Sequence, residues 1–251
     1  MGRLKEKIKA PLIEEKMPKK KPKIFIVIPA YNEENSIADV IKELKKNNYN
    51  NIVVVDDGSK DKTYEKAGKQ KVHVLKHIIN RGQGASLQTG IDFALKKNAD
   101  IIVTFDADGQ HIAKEIKKLL EPIKKGEVEV TLGSRFLKDK NKKSRETKIP
   151  FIRKLFLKTG TFVNFIFYGV KLSDAHNGFR ALSGKAAKKI QINFDGMEHA
   201  SEIVEEIIKK NIPYKEVPVS IKYTNYSLNK GQRSLNAFRI FFKLLFRKLF
   251  R

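Results

Sequence analysis

The sequence predicts an α/β fold in which a mainly parallel sheet is flanked by helices. Three observations predict it. From residue 23 onward, short β-branched apolar runs alternate with stretches of helical spacing. Five of those apolar runs end in a polar cluster. Each such run is short and continuous, the pattern of a strand buried on both faces. Right-handed crossovers place the carboxyl ends of parallel strands along one edge, where ligands bind.

The elements follow in order. KIFIVIPA (23–30) is a buried strand. SIADVIKELKKN (36–47) is a helix, with Ile37, Val40, Ile41 and Leu44 on one face. NIVVVDDGS (51–59) and KVHVLKHII (71–79) are the next two strands. GASLQTGIDFALKK (84–97) is a helix and DIIVTFDADGQ (100–110) a strand. AKEIKKLLEPIKK (113–125) is a helix and VEVTLGSRF (128–136) the fifth strand. The chain divides into a basic extension over 1–22, a catalytic-type domain over 23–234 and a basic amphipathic helix over 235–251.

Composition excludes several classes. The 251 residues contain no cysteine, so disulfides and thiolate metal sites are absent. Of the five histidines only His73 and His77 are four apart, and they fall in the strand-type run KVHVLKHII rather than on a helix, so a zinc enzyme is not expected. The net charge of +24 calls for an anionic partner. No zinc finger or other nucleic-acid signature accompanies it, so a nucleic-acid-binding protein is the distant alternative. No run of eighteen uncharged apolar residues exists, and the Lys-rich N-terminus lacks an apolar signal core. Neither a transmembrane helix nor a secretion signal is expected.

The clusters carry the chemistry. Pro29-Ala30-Tyr31-Asn32-Glu33 follows the first strand and Asp56-Asp57-Gly58-Ser59 the second. Asn80-Arg81-Gly82-Gln83-Gly84 follows the third, Asp106 to His111 the fourth, and Gly133-Ser134-Arg135 the fifth. Asp106 and Asp108 are two apart, so both side chains point one way if the strand continues through Ala107. Two converging carboxylates suit a hard divalent cation such as Mg²⁺ or Mn²⁺. Gln110 lies at the same interval, and His111 is within reach of the cation or a phosphate. Asp56 and Asp57 offer acceptors to a ribose or base. Tyr31 offers a stacking ring. The glycines before residue 84 permit close backbone approach and resemble an anion-binding helix start.

IVIPAYNEE, VVVDDGSKDKT, NRGQGASLQTG, FDADGQH, LGSRF and DAHNGFRALS, in this order, resemble family 2 glycosyltransferases of the GT-A fold, a Rossmann-like nucleotide-diphospho-sugar transferase architecture. Within it the resemblance is to dolichol-phosphate mannose synthases and other polyprenyl-phosphate glycosyltransferases, over about Lys23 to Ser234. It implies that Pro29, Tyr31, Glu33, Asp56, Asp57, Arg81 and Asp106 hold the nucleotide sugar. Asp106, Asp108 and Gln110 would hold the metal on the donor diphosphate. Arg135 and Arg153 would hold the acceptor phosphate, with Arg145 a rival to Arg153.

The acceptor divides the readings. A polyprenyl phosphate such as dolichyl or undecaprenyl phosphate is already ionised near neutral pH and needs no general base, and arginines suit it. A saccharide hydroxyl needs a carboxylate base, for which Asp174 and Glu202 are available. The phosphate is the expected acceptor, with UDP preferred to GDP in the donor and the transfer inverting. LNAFRIFFKLLFRKLFR (235–251) places Arg239, Lys243, Arg247 and Arg251 in one stripe, and Phe238, Phe241, Phe242 and Leu245 among its apolar positions. That pattern fits a helix lying in an anionic interface. A second apolar helix with basic flanks, 148–169, completes the expected platform. The protein is therefore expected at the cytoplasmic face of a membrane as a peripheral enzyme. The sequence leaves its oligomeric state open.

Overall fold

The computed structural model describes residues 21–138 and 172–222. The basic extension up to residue 20, Arg145, Arg153, the 148–169 helix and the 235–251 helix with Phe238, Phe241, Phe242, Leu245 and Arg247 lie outside the described residues. Among those described, seven strands form one sheet: β1 (Ile24–Ala30), β2 (Ile52–Asp56), β3 (His73–Lys76), β4 (Ile101–Thr104), β5 (Val130–Ser134), β6 (Arg180–Ser183) and β7 (Tyr214–Pro218). Their order is β3-β2-β1-β4-β6-β5-β7. β1 pairs in parallel with β2 and β4, β2 with β3, and β5 with β7. β6 runs antiparallel to both its neighbours. Its N-terminus therefore lies at the edge where the other strands end.

Both faces are covered, as continuous apolar strands require. Alternate residues of β1 divide between two cores: Ile26, Ile28 and Ala30 on one face, Phe25 and Val27 on the other. The first face is covered by α1 (Ile37–Lys46) and α4 (Ile116–Lys124), with α2 (Thr63–Gly68) contributing Ala67. α1 buries Ile37, Val40, Ile41 and Leu44, the predicted stripe. The second face is covered by α3 (Gln83–Lys96), α5 (Gly184–Lys189) and α6 (His199–Lys209), through Leu87, Ile91, Ala186, Ile203 and Ile207 among others.

Strand ends depart from the sequence expectation in one systematic way. β2 stops at Asp56, β3 at Lys76, β4 at Thr104 and β5 at Ser134. Asp106 and Asp108 therefore do not share a strand face. Beyond Thr104 the chain turns. The Asp106 N–H donates to His111 Nδ1 at 3.1 Å, the Gln110 N–H donates to Asp108 Oδ1 at 2.9 Å, and Gly109 takes φ +75°. A side chain that accepts a backbone N–H two residues on ends a strand in a turn.

Candidate active site

The Asp106–His111 turn lies at the centre of the sheet edge, beyond β4. His111 organises it. Its ring stacks on Phe179 at 4.6 Å between centroids and meets Phe105 edge-on at 5.2 Å. It is buried, and burial pulls its pKa down to about 4, so the ring is neutral. Nδ1 accepts the Asp106 N–H, which leaves the proton on Nε2, 3.3 Å from Asp106 Oδ2. Gln83 Nε2 donates to the other oxygen, Oδ1, at 3.2 Å. Gly178 faces the same carboxylate, and a Cβ there would come within 3.0 Å of Oδ1. Gln83 thus holds one Asp106 oxygen, and His111 holds the Asp106 backbone N–H.

Asp106 and Asp108 both have their pKa pushed up to about 6, from an ordinary 3.8. Burial is the main cause in each case. For Asp108 the neighbouring Asp106 charge adds to it, and Glu33 raises both. Arg135 and Arg180 pull the Asp106 value down without offsetting its burial. The donors are hard carboxylate oxygens, which fit Mg²⁺ or Mn²⁺. Among the described residues no group of three or more His, Cys, Asp or Glu side chains is placed to enclose a metal. A cation on Asp106 and Asp108 would complete its shell with water and substrate oxygens, the usual mode of Mg²⁺. Gln110 offers its backbone carbonyl to the Lys222 N–H at 2.8 Å, which ties the residues after β7 to this turn.

On the β1–β2 side, the two loops are laced together. The Asn32 N–H donates to Ser59 Oγ at 2.9 Å and the Lys60 N–H to Asn32 Oδ1 at 2.9 Å. The Glu33 N–H donates to Thr63 Oγ1 at 2.7 Å. Ser36 Oγ donates to the Glu33 carboxylate at 2.8 Å. Pro29 ends β1 beside Ala30, and Tyr31 projects, 40% exposed. The paired aspartates differ sharply. Asp57 accepts the Arg81 N–H at 3.0 Å, the Gly82 N–H at 2.7 Å and a bond from His77 Nδ1 at 2.8 Å. It holds the 77–82 loop. Asp56 is fully buried, and neither of its carboxylate oxygens has a hydrogen-bond partner among the described residues. A buried carboxylate in that condition is costly unless a donor reaches it.

The glycine-flanked start of α3 is not open to an anion. The Asp195 carbonyl accepts the Gly84 N–H at 2.7 Å and faces the Ala85 N–H at 3.4 Å. A Cβ on Gly84 would fall 1.9 Å from the Phe194 carbonyl oxygen, and one on Gly82 2.3 Å from that of Asp195. The glycines admit the 194–196 backbone, and its carbonyl caps the helix. Arg81 turns its guanidinium to Asp195 Oδ1 at 3.4 Å.

On the far side, Arg135 and Asp174 form a buried bidentate pair, Nε to Oδ2 at 2.6 Å and Nη2 to Oδ1 at 2.7 Å. The Arg135 N–H adds a third bond to Asp174 Oδ2 at 3.0 Å. Glu202 accepts the Asn193 and Phe194 N–H groups at 3.0 and 2.9 Å and so fixes the strap over α3. Arg180, at the site end of β6, is buried. It donates to the carbonyls of Asn177, Ala175 and Ala200, while Nη1 has no partner among the described residues. Burial lowers its pKa to about 10, against the pull of Asp174 and Asp106, so it remains a cation.

The structure thus gathers Asp56, Asp57, Asp106, Asp108, Gln110, Arg135 and Asp174 with the 29–33 and 80–84 loops along one edge. Gln83, His77, Gly178 and Arg180 carry much of its geometry without having been singled out by the sequence. Gln83, Gly178 and Arg180 had a partial signal, since all three belong to the quoted motifs.

The Glycosyl transferase family 2 model matches residues 25–191. A UDP-N-acetylglucosamine–dolichyl-phosphate N-acetylglucosaminyltransferase of Methanococcus voltae is 37% identical over 90% of this chain and 96% of its own. A dolichol-phosphate mannosyltransferase of Pyrococcus furiosus is 31% identical over 89% of this chain and 64% of its own. The crystal structure of glucosyl-3-phosphoglycerate synthase from Mycobacterium tuberculosis, in complex with Mn²⁺, UDP and phosphoglyceric acid, has the same fold. It aligns with a TM-score of 0.66 at 17% identity, over 90% of this chain and 78% of that one. With the family model spanning most of the described sheet and its motifs lining one edge, the chain belongs to glycosyl transferase family 2 and is a glycosyltransferase.

Proposed function

We propose that the protein transfers a sugar from a nucleotide sugar to a polyprenyl phosphate at an anionic membrane surface, with Mg²⁺ or Mn²⁺ as cofactor. The observation that carries the acceptor assignment is the state of the two candidate bases. Asp174 is buried and paired with Arg135, and Glu202 is spent on the N–H groups of Asn193 and Phe194. Neither is available to deprotonate a sugar hydroxyl. A phosphate acceptor dispenses with that step, because it arrives ionised. The two relatives described above, both named as dolichyl- or dolichol-phosphate enzymes, agree with this acceptor while differing in the sugar.

In this reading the donor lies across the edge. Asp56 takes a donor group of the nucleoside into its unsatisfied carboxylate, with Tyr31 and Glu33 beside it and Arg81 at the rim. Asp106 and Asp108, with Gln110, would hold the divalent cation, whose charge would offset that of the diphosphate leaving group. His111, Gln83 and Gly178 keep Asp106 in place. The acceptor phosphate approaches Arg135, which shares its guanidinium with Asp174, and Arg153 is the second phosphate contact. The acceptor oxygen attacks the anomeric carbon on the face opposite the leaving group, with inversion. UDP-N-acetylglucosamine is the first donor to test, because the 37% relative carries that name over nearly its whole length. The 235–251 helix is the membrane contact in this reading.

The test is sugar transfer from UDP- and GDP-sugars onto dolichyl and undecaprenyl phosphate, with Mg²⁺ or Mn²⁺. The expected result is a lipid-linked product that a chelator abolishes. Donor binding with transfer only to a saccharide would overturn the acceptor assignment. Undiminished transfer in chelator would overturn the role of the metal.

A further inference from the structure

Beyond Lys76 the edge strand gives way to a turn that presents two isoleucines to solvent. Ile78 is 99% exposed and Ile79 68%, the most exposed large apolar side chains described. The backbone beneath them is held. The His77 N–H donates to the Asp56 carbonyl at 2.9 Å, His77 Nδ1 is bonded to Asp57, and the N–H groups of Arg81 and Gly82 return to the same carboxylate. Gly58, at φ +68°, packs directly on the backbone of Ile79 and Asn80, where a Cβ would come within 2.7 Å. A backbone tied at one end to Asp56 and at the other to Asp57 cannot fold its side chains back into the core.

The surroundings are cationic. Lys60, Lys62, Lys76 and Arg81 are all exposed on the segments that flank the turn, and Lys76 sits 5.0 Å above the half-exposed ring of Tyr64. Asp61 is the one carboxylate among residues 58–64, and it is engaged by the Thr63 and Glu34 N–H groups. Two exposed apolar side chains on a tied backbone, flanked by exposed Lys60, Lys62 and Lys76 and by Arg81 paired to Asp195, match a lipid interface: apolar groups enter the acyl boundary and cations meet the headgroups. A protein partner would have to be acidic and concave. The net charge of +24 favours the lipid surface, whose negative potential acts on every basic residue near it.

We propose that the Ile78–Ile79 turn is a membrane-inserting tip that seats the β3 end of the sheet edge on anionic lipid. This rests on the reading of the protein as an enzyme of a lipid acceptor, and it is separate from the 235–251 helix. The last described residues before that segment, Ile221 and Lys222, pair with His111 and Gln110 at the centre of the edge, beyond β4, whereas the Ile78–Ile79 turn follows β3 at one end of the strand order.

The test exploits the absence of cysteine. Ile78→Cys in the full chain gives a unique site for an environment-sensitive fluorophore. Lys124→Cys, exposed at the end of α4 on the opposite sheet edge, is the control. The label at 78 is expected to shift blue on vesicles of neutral lipid with anionic lipid, and to be quenched by a quencher carried on the acyl chains. The label at 124 is expected to be unchanged. High salt is expected to weaken the response. In the unlabelled full chain, Ile78→Asn with Ile79→Asn is expected to cut vesicle partitioning by roughly tenfold or more while leaving UDP binding unchanged.

Vesicle sedimentation without any change at position 78 would overturn the tip and leave the lipid-acceptor reading standing. No sedimentation at all would overturn both. A blue shift that follows protein concentration without vesicles would overturn the lipid assignment in favour of a second copy of the chain.

Discussion

At the scale of single residues, Asp106 and Asp108 hold the chemistry and their roles differ. Asp106 is gripped by Gln83 and His111, while Asp108 anchors its own turn through the Gln110 N–H. Asp108→Ala is expected to lower kcat/KM by on the order of 100-fold or more, with loss of Mn²⁺ binding by calorimetry and an unchanged unfolding midpoint in the absence of metal. The pH dependence follows from the raised carboxyls. Unfolded, these groups ionise near 3.8; folded, near 6. Without metal their contribution to stability is fully present below pH 3.8 and is lost as pH rises through 6. Metal needs the ionised pair, so its stabilisation runs the other way. The shift in Tm on adding Mn²⁺ should be larger at pH 7.5 than at pH 5, as differential scanning fluorimetry would show. A larger shift at pH 5 would remove the carboxylate pair from the metal site. The aspartates and their proximity were legible in the sequence. The reason for the proximity was not, because period-two alternation assumes a strand and the His111 ring ends it. The division between Asp56 and Asp57 was hidden as well, since adjacent carboxylates read alike until the 77–82 loop closes over one of them.

At the scale of elements, the 194–196 strap and α3 depend on each other. Gly84→Ala must push the Phe194 carbonyl away from a Cβ 1.9 Å distant. It is expected to cost about 1–3 kcal/mol, read as a lower midpoint in urea denaturation. Here the sequence pattern was misleading for a physical reason. Glycines before a helix serve an anion or a neighbouring backbone equally well, and only the long-range partner distinguishes them. β1, β2, β4 and β5 were legible because buried strands are continuously apolar. β6 and β7, RALS and YKEVP, are short, polar in part and supported by neighbours remote in sequence, so no local period announces them. Edge strand β3 appeared longer than it is, since HII continues its apolar character into a turn that faces solvent.

At the scale of the whole molecule, the charge of +24 and the single ligand edge belong to the same account. If the basic C-terminal segment is the membrane contact, deleting residues 235–251 should abolish most retention on anionic vesicles, while UDP binding stays within about twofold. Full retention after the deletion would move the contact elsewhere in the chain. The topology also has a consequence for how the protein is made. β5 bonds to β6 and β7 and not to β4, although it precedes both in the chain. During synthesis, β4 therefore waits with an open apolar edge, and β5 emerges without a partner, until residues 180–183 leave the ribosome. An unpaired buried-type strand is a template for association with other chains. The antiparallel insertion that carries Arg180 to the active edge makes the interval between the emergence of β4 and that of β6 the period in which this protein most needs protection from its neighbours.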